Sequence, residues 1–262
     1  MIELLSSAQE FIGENGFKGI RISTRPDAVD GEICDILEKY HVTAVELGAQ
    51  STNDKVLAMN RRGHTREDIF RSARLLKERG FELGLQMMTG LYGSNDEDSI
   101  GTARDIISLS PDTARIYPTV VIENTELAEL YRNGEYRPQT PEEAAVLCAK
   151  ILPMFERAGI KVIRLGLHSG GDVEGSFVAG AYHPALREMC EGHIYFDIIN
   201  RALSGKEKGK YIIYVAPREV SKASGQRRCN IEKLRELGYE CRIKENAALS
   251  ARDITLEKVN LL

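Results

Sequence analysis

The stretch GIRISTRPDAVDGEICDILEKYHVTAVELG, residues 19–48, decides the fold class. Two short runs at 19–24 and 43–48 are rich in β-branched residues and predict strands. Between them, residues 30–40 carry apolar side chains at helical spacing and predict a helix. A strand, a helix and a second strand in this order predict two parallel strands joined by a crossover helix.

The same alternation continues as far as residue 165 and predicts a parallel sheet, either open or closed into a barrel. The helix that follows Thr65 begins with a capping box, because Thr65 stands three residues before Asp68. The further predicted strands are 82–88, 113–121 and 161–165, and the further helices are 65–79, 95–109, 125–132 and 141–158.

The pattern changes after Gly166. Residues 168–180 are polar and rich in glycine and predict a functional or covering loop, whereas 181–203 predict a helix. Beyond a hydrophilic connector, a strand at 211–215, a helix at 227–237 and a strand at 240–243 predict a small β-α-β appendage. We therefore expect two domains, residues 1–203 and residues 204–262.

Composition limits the cellular setting. The chain has no apolar run near the ~20 residues of a membrane span and no signal-peptide pattern, so we expect a cytoplasmic protein without membrane contact. Its 5 cysteines are widely and irregularly spaced, which argues against a disulfide framework. Neither these cysteines nor the histidines have the spacing of a zinc site, and we expect no metal site within this chain.

The charge is unevenly distributed. The net charge is −4, yet residues 201–262 carry 14 Lys and Arg against 8 Asp and Glu. Such a basic segment is typical of a surface that binds RNA or another polyanion, and an ordinary solvated face of mixed charge is the alternative. The basic residues between 206 and 228 are Lys206, Lys208, Lys210, Arg218, Lys222, Arg227 and Arg228.

Functional side chains in a β/α fold gather where the strands end. Glu46 is the most informative of them, because a carboxylate within the apolar run Ala-Val-Glu-Leu must be paired or face a polar cavity. A neighbouring arginine could provide that pairing. Arg62 and His64 lie in the loop that follows the same strand, and Gly90 and Gly93 lie in a later strand-to-helix turn.

Four ordered segments carry a family resemblance, namely GIRISTRPD (19–27), VELGAQSTNDKVLAMNRRGHTREDI (45–69), GLQMMTGLYGS (84–94) and ARIYPTVVIENTELAELYRNGEYRP (114–138). Together they resemble the radical S-adenosylmethionine (SAM) proteins, in particular the branch that contains the catalytic subunit of elongator. The oxygen-independent coproporphyrinogen oxidases are more distant relatives. The resemblance implies an α/β fold, a partial (β/α) barrel of the radical SAM type that binds SAM across its strand ends.

The resemblance also implies a set of SAM-binding residues. Gln50 and Arg62 match positions that contact the ribose and the carboxylate of SAM, and Glu46 lies on the strand that lines the pocket. Gly90 and Gly93 fall in the turn beside the adenine, and Tyr117 lies in the strand that flanks it. We expect Glu46, Gln50, Arg62 and Tyr117 to point into one cavity; no catalytic residue is assigned.

The chain departs from the family at its beginning. The resemblance implies a first strand, a CxxxCxxC loop that holds a [4Fe–4S] cluster, and a second strand with a glycine-rich end, and none of these occurs. Residues 1–15 predict a helix that matches the one after the second strand. We therefore expect a barrel that lacks its first strands, with the cluster present only in a complete protein.

Three functions remain open from the sequence. The first is a radical SAM enzyme that cleaves SAM reductively and acts on RNA, inactive as this fragment. The second is a non-catalytic barrel remnant that binds an adenosyl group or RNA, and the third is an enzyme similar to porphyrinogen oxidases. Missing first strands would leave the strand at 19–24 with an unpaired edge, where Ile20 and Ile22 favour a homodimer over cover by residues 168–180 or by the appendage.

Overall fold

The computed structural model describes residues 1–14, 16–168 and 175–259. By compactness the chain divides into a first unit, Met1–Thr140 with Ile151–Tyr182, and a second unit, Pro141–Lys150 with His183–Leu262. The expected boundary between residues 203 and 204 stays a prediction. No helix in the described ranges is long and apolar enough to cross a bilayer.

The first unit is built on parallel strands connected by helices. Its strands are β1 (Ile20–Thr24), β2 (Val42–Gln50), β3 (Glu82–Thr89), β4 (Thr113–Pro118), β5 (Val120–Ile122), β6 (Lys161–Leu165) and β7 (Phe177–Gly180). Its helices are α1 (Ile2–Gln9), α2 (Gly31–Lys39), α3 (Asp54–Met59), α4 (Arg66–Glu78), α5 (Asp96–Ser108) and α6 (Glu126–Arg132), and α7 (Pro141–Arg157) contributes residues to both units.

Five of these strands form one parallel sheet in the order β1-β2-β3-β4-β6. This α/β architecture, an open partial barrel, confirms the predicted fold class. One face of the sheet is apolar, with Leu47, Leu85 and Ile116 fully buried, and α2, α4 and α5 pack against the strands. Within the described residues β1 pairs only with β2, so β1 is an edge strand.

Three details of the first unit differ from the sequence prediction. The predicted strand 113–121 is two strands, because Pro118 has no N–H with which to continue the ladder and β5 joins a separate antiparallel pair with β7. Part of the predicted loop 168–180 is therefore strand β7, while residues 169–174 lie outside the described residues. The first helix ends at Gln9 rather than near residue 15.

The second unit contains the predicted β-α-β arrangement and one additional strand. Its elements are α8 (Leu186–Leu203), β8 (Gly209–Val215), α9 (Val220–Ser224), α10 (Cys229–Glu236), β9 (Tyr239–Glu245) and β10 (Ile254–Lys258). Strands β8 and β9 are parallel, and β10 pairs antiparallel with the other edge of β8. Tyr195, Ile213 and Leu234 are among the buried residues of the core between these helices and the sheet.

Candidate functional site

The second face of the parallel sheet carries polar side chains. Strand register places Ser23, Glu46, Gly84 and Thr113 in one row across β1 to β4. Glu46 is only 1% exposed, and its Oε1 lies 2.5 Å from Nε of Arg115, which reaches it from two strands away. This contact is an ion pair but not a hydrogen bond, because the N–H of Arg115 Nε is not aligned with Oε1 of Glu46. The carboxylate of Glu46 is thus paired with a neighbouring arginine.

Arg115 joins Glu46 to Tyr117, another of the predicted site residues. Nη1 of Arg115 donates a hydrogen bond of 3.1 Å to the hydroxyl of Tyr117. This hydrogen bond, and to a lesser extent the charge of Glu46, raises the pKa of Arg115 above its ordinary value. Glu46 and Tyr117 are therefore linked through one guanidinium that the sequence analysis did not select. Its signal was present in the sequence, as a cation two residues before Tyr117 in an alternating strand.

Gln50 ends β2 in an unusual backbone conformation. Its φ is +58°, a left-handed value that residues other than glycine seldom adopt. The carbonyl oxygen of Ala49 accepts a hydrogen bond of 2.7 Å from N–H of Ser51, two residues on, which makes Gln50 the centre of a left-handed γ-turn. Oε1 of Gln50 is buried and has no hydrogen-bond partner in the structure.

His64 contacts this turn from the following loop. It is 4% exposed, and its Nε2 lies 3.1 Å from the carbonyl oxygen of Ala49. A carbonyl oxygen only accepts, so Nε2 carries a ring proton, and in the neutral ring Nδ1 is an acceptor. Nδ1 is buried and has no partner either. Two acceptor atoms, on Gln50 and on His64, are thus buried without a donor.

Arg62 brings an unpaired donor to the same loop. Its Nε is buried without a partner. Burial first, and the nearby charge of Arg25 second, lower the pKa of Arg62. Arg25 is itself held by a two-pronged contact with Asp27, at 2.9 and 2.6 Å. A partly buried guanidinium beside a second cation is an environment that suits a carboxylate ligand.

Gly90 and Gly93 lie in a turn that is covered by side chains of the first unit. Their φ values are +69° and +75°, which favour glycine. The hydroxyl of Tyr136 donates to the Gly90 carbonyl oxygen at 2.6 Å, and a Cβ at Gly90 would lie 2.7 Å from Oε1 of Gln139. A Cβ at Gly93 would meet Sδ of Met59 at 2.4 Å. Backbone conformation and close neighbours thus explain why both positions are glycine. Their contact with an adenine stays a prediction.

The predicted site residues therefore form two clusters in the first unit. Gln50 lies in the turn that His64 contacts, and Arg62 lies in the same loop as His64, whereas Glu46 and Tyr117 are connected through Arg115. Convergence of all of them on one cavity stays a prediction.

The cysteines are poorly suited to hold an iron–sulfur cluster. Cys34, Cys148, Cys190 and Cys241 are buried, and Cys229 is half-buried. Burial raises the pKa of Cys148 to about 12 and that of Cys241 to about 11, so their thiols remain protonated at neutral pH. In the part of the chain that the structure describes, no three His, Cys, Asp or Glu side chains are grouped so that they could hold a metal ion.

Comparison with known families decides the relationship. Residues 1–106 match the sequence model of the radical SAM superfamily, and residues 111–195 match that of the radical SAM C-terminal domain. The chain belongs to the radical SAM superfamily.

Sequence relatives place the chain near the elongator branch of this superfamily. It is 36% identical over 142 residues to a tRNA uridine(34) acetyltransferase of Methanocaldococcus jannaschii, covering 52% of this chain and 26% of that protein. It is 34% identical over 146 residues to human Elongator complex protein 3, covering 52% of this chain and 25% of that protein. The chain thus spans about a quarter of the length of these relatives.

A solved structure shows the same fold. The archaeal Methanocaldococcus infernus Elp3 with an N-terminal deletion superposes with a TM-score of 0.61 and 24% sequence identity. The match covers 75% of this chain and 55% of that one.

Membership of the radical SAM superfamily implies SAM and a [4Fe–4S] cluster as cofactors. The unpaired atoms of Gln50 and Arg62 fit SAM, which offers hydroxyl donors on its ribose and a carboxylate. The cluster does not fit the residues of this chain, because the sequence has no CxxxCxxC motif and four of the five thiols are buried.

Proposed function

We propose that this chain forms the SAM-binding part of a radical SAM enzyme whose substrate is tRNA. SAM supplies the radical chemistry of this superfamily when it is bound together with a cluster. In the proposal Arg62 binds the carboxylate of SAM, Gln50 accepts hydrogen bonds from the ribose, and Gly90, Gly93 and Tyr117 surround the adenine. Glu46 fixes Arg115 on the pocket wall.

One observation carries the proposal. Within one loop and one strand end, a donor on Arg62 and an acceptor on Gln50 are buried without a partner, although buried polar atoms in proteins are nearly always paired. Arg25, which is paired with Asp27, is close enough to lower the pKa of Arg62 further. A ligand that has both a carboxylate and hydroxyl groups would pair both atoms.

The experiment is a binding measurement with SAM and with S-adenosylhomocysteine by isothermal titration calorimetry. We expect Arg62→Met to weaken binding at least tenfold, because a charge-assisted hydrogen bond is lost. Arg61→Met is the matched control, since Arg61 is exposed and paired with Glu126 at 2.7 Å. It should bind within twofold of the unmodified chain. Absence of binding at millimolar ligand, or equal losses in both variants, would contradict the proposal.

The RNA part of the proposal rests on the names of the relatives and on a groove in the second unit. A cavity of about 630 Å³ beside β8, β9 and α10 is lined by four basic residues and one acidic residue, namely Lys210, Arg228, Arg235, Arg242 and Glu240. Lys210 is partly neutralised by Glu240 at 3.5 Å. The surplus of positive charge suits the phosphates of RNA.

Fluorescence anisotropy with unmodified tRNA at several salt concentrations tests this groove. The double variant Arg228→Glu/Arg235→Glu should bind at least tenfold more weakly and with a shallower salt dependence. Arg104→Glu/Lys161→Glu makes the same charge change at exposed positions of the first unit and should retain most of the affinity. Equal weakening by both double variants would show that only net charge matters.

A second candidate function follows from the cysteines. Without ligands for a cluster, the chain alone could serve as a non-catalytic module that binds an adenosyl group or RNA. Four irons per chain after reconstitution would exclude this second function, whereas failure to bind iron is expected for both functions.

We further propose that the edge of β1 pairs with a second copy of the chain. Ile20 and Ile22 are half-buried on this edge strand. Leu4, Phe11 and Phe17 are 77%, 64% and 72% exposed in the same unit. An apolar edge of this kind is normally covered in a soluble protein.

A further inference from the structure

The turn around Gln50 is held in a conformation that the residue does not favour by itself. A γ-turn with positive φ is rare and strained. A glycine would adopt it with less strain than a glutamine does. Strain of this kind persists only where the surroundings determine it, and it concentrates at functional sites. The groups that enforce the turn are therefore part of the site.

Two bonds hold the turn from opposite sides. On one side, Nε2 of His64 donates to the carbonyl oxygen of Ala49 at 3.1 Å, and that oxygen also accepts from Ser51 N–H at 2.7 Å. On the other side, the N–H of Thr52 donates to Oγ1 of Thr102 at 3.1 Å. The first bond reaches the γ-turn itself, and His64 is fixed there by almost complete burial.

A glycine then directs the side chain of Gln50. A Cβ at Gly48 would lie 2.4 Å from Nε2 of Gln50, so the amide packs against the bare backbone of Gly48. With Nε2 on that side, Oε1 is the atom that stays buried without a partner. The backbone turn and the glycine together set the direction of one acceptor.

We propose that His64 is a positioning residue for the nucleoside, because its Nε2–H bond to Ala49 holds the turn that presents Gln50 Oε1 to a ribose hydroxyl. The inference rests on the proposed function, in that it takes SAM as the ligand. His64 acts through Gln50 and makes no contact with the ligand itself. The amide of a glutamine can replace Nε2 as a donor to Ala49, whereas leucine cannot.

The first experiment compares binding of S-adenosylhomocysteine to the full chain and to variants at positions 64 and 50. His64→Leu should weaken binding about tenfold, and His64→Gln should stay within threefold of the unmodified chain. Gln50→Ala should also lose about tenfold, and the double variant His64→Leu/Gln50→Ala should bind no more weakly than Gln50→Ala. The inference would be overturned if the double variant lost the product of the two single-variant losses of affinity. Unchanged binding by His64→Leu would also overturn it. Circular dichroism checks that each variant is folded.

The second experiment needs no ligand. Long-range ¹H–¹⁵N correlation spectra of the ¹⁵N-histidine-labelled chain report which ring nitrogen carries the proton. The inference requires a proton on Nε2 of His64, and a ring that carries its proton on Nδ1 alone would overturn it. The unmodified chain could fail to bind any adenosyl ligand although Nε2 of His64 carries a proton. In that case the proposed function is wrong, while the hydrogen bond from His64 to the turn is still supported.

Discussion

Glu46 and Arg115 form an ion pair that crosses strand β3 above Gly84. The two residues lie on β2 and β4, and register places Gly84 opposite Glu46 on the strand between them. A Cβ at Gly84 would lie 3.0 Å from Cγ of Glu46 and 3.1 Å from Oγ1 of Thr113. The missing side chain therefore makes room for a contact between strands that are not neighbours.

Removal of Arg115 should destabilise the first unit. Arg115→Met leaves the carboxylate of Glu46 buried without a cation, and the free energy of unfolding should fall by about 3 kcal/mol. Urea denaturation measures this loss. Arg71→Met is the control, because it breaks an exposed pair with Asp68 and should cost less than about 1 kcal/mol. The double variant Glu46→Gln/Arg115→Met should lose less unfolding free energy than the two single variants lose together. Strictly additive losses would argue against a coupled pair.

A methyl group at Gly48 should disturb ligand binding more than folding. Gly48→Ala places a Cβ where Nε2 of Gln50 now lies, and the flexible end of that side chain can move aside. We expect a loss of affinity for S-adenosylhomocysteine similar to that of Gln50→Ala, with a melting temperature within a few degrees of the unmodified chain. Gly31→Ala is the control, since a Cβ there meets no atom within 4 Å. Unchanged binding by Gly48→Ala would mean that the direction of the amide is unimportant.

The isolated chain should fail to assemble a [4Fe–4S] cluster. Anaerobic reconstitution with iron and sulfide should give less than stoichiometric iron and no broad absorption near ~400 nm, because three closely spaced thiolates are needed. Iron and sulfide analysis after desalting measures the outcome. Four irons per chain would contradict the prediction and would exclude the non-catalytic alternative.

Self-association should depend on the edge of β1. Light scattering during size-exclusion chromatography should show a dimer of the 29.2-kDa chain, and Ile20→Lys should convert it to a monomer. Ile122→Lys introduces the same charge at a half-buried position of β5 and should leave the dimer intact. A monomer of the unmodified chain would refute the idea.

The sequence predicted the elements whose pattern is local. The capping box of Thr65 and Asp68 is present in the structure, and the helix predicted to begin near Asn95 has the same motif, with Asp98. Elements that depend on distant pairing were missed. Strand β7 is four residues long within a polar segment, and only its pairing with β5 defines it as a strand. Strand β10 likewise depends on β8.

The sequence selected only some of the residues that the structure links in the candidate site. Position at the strand ends and the family resemblance selected Glu46, Gln50 and Tyr117. Alternation along β4 could have placed Arg115 on the same face as Tyr117, but its pairing with Glu46 had no sequence signal, because the two residues are 69 positions apart and the contact crosses an intervening strand. The left-handed turn at Gln50 has no sequence signal, since it occurs at a residue that normally avoids that conformation.

The burial of four thiols has a practical consequence for spectroscopy. Cys229, at the beginning of α10, is half-buried, while Cys34, Cys148, Cys190 and Cys241 are shielded from solvent. A maleimide fluorophore should therefore label one thiol per folded chain, and the other four thiols only after denaturation. Cys229 directly follows Arg228, which lines the basic groove, so the native sequence provides its own single labelling position for following RNA by energy transfer.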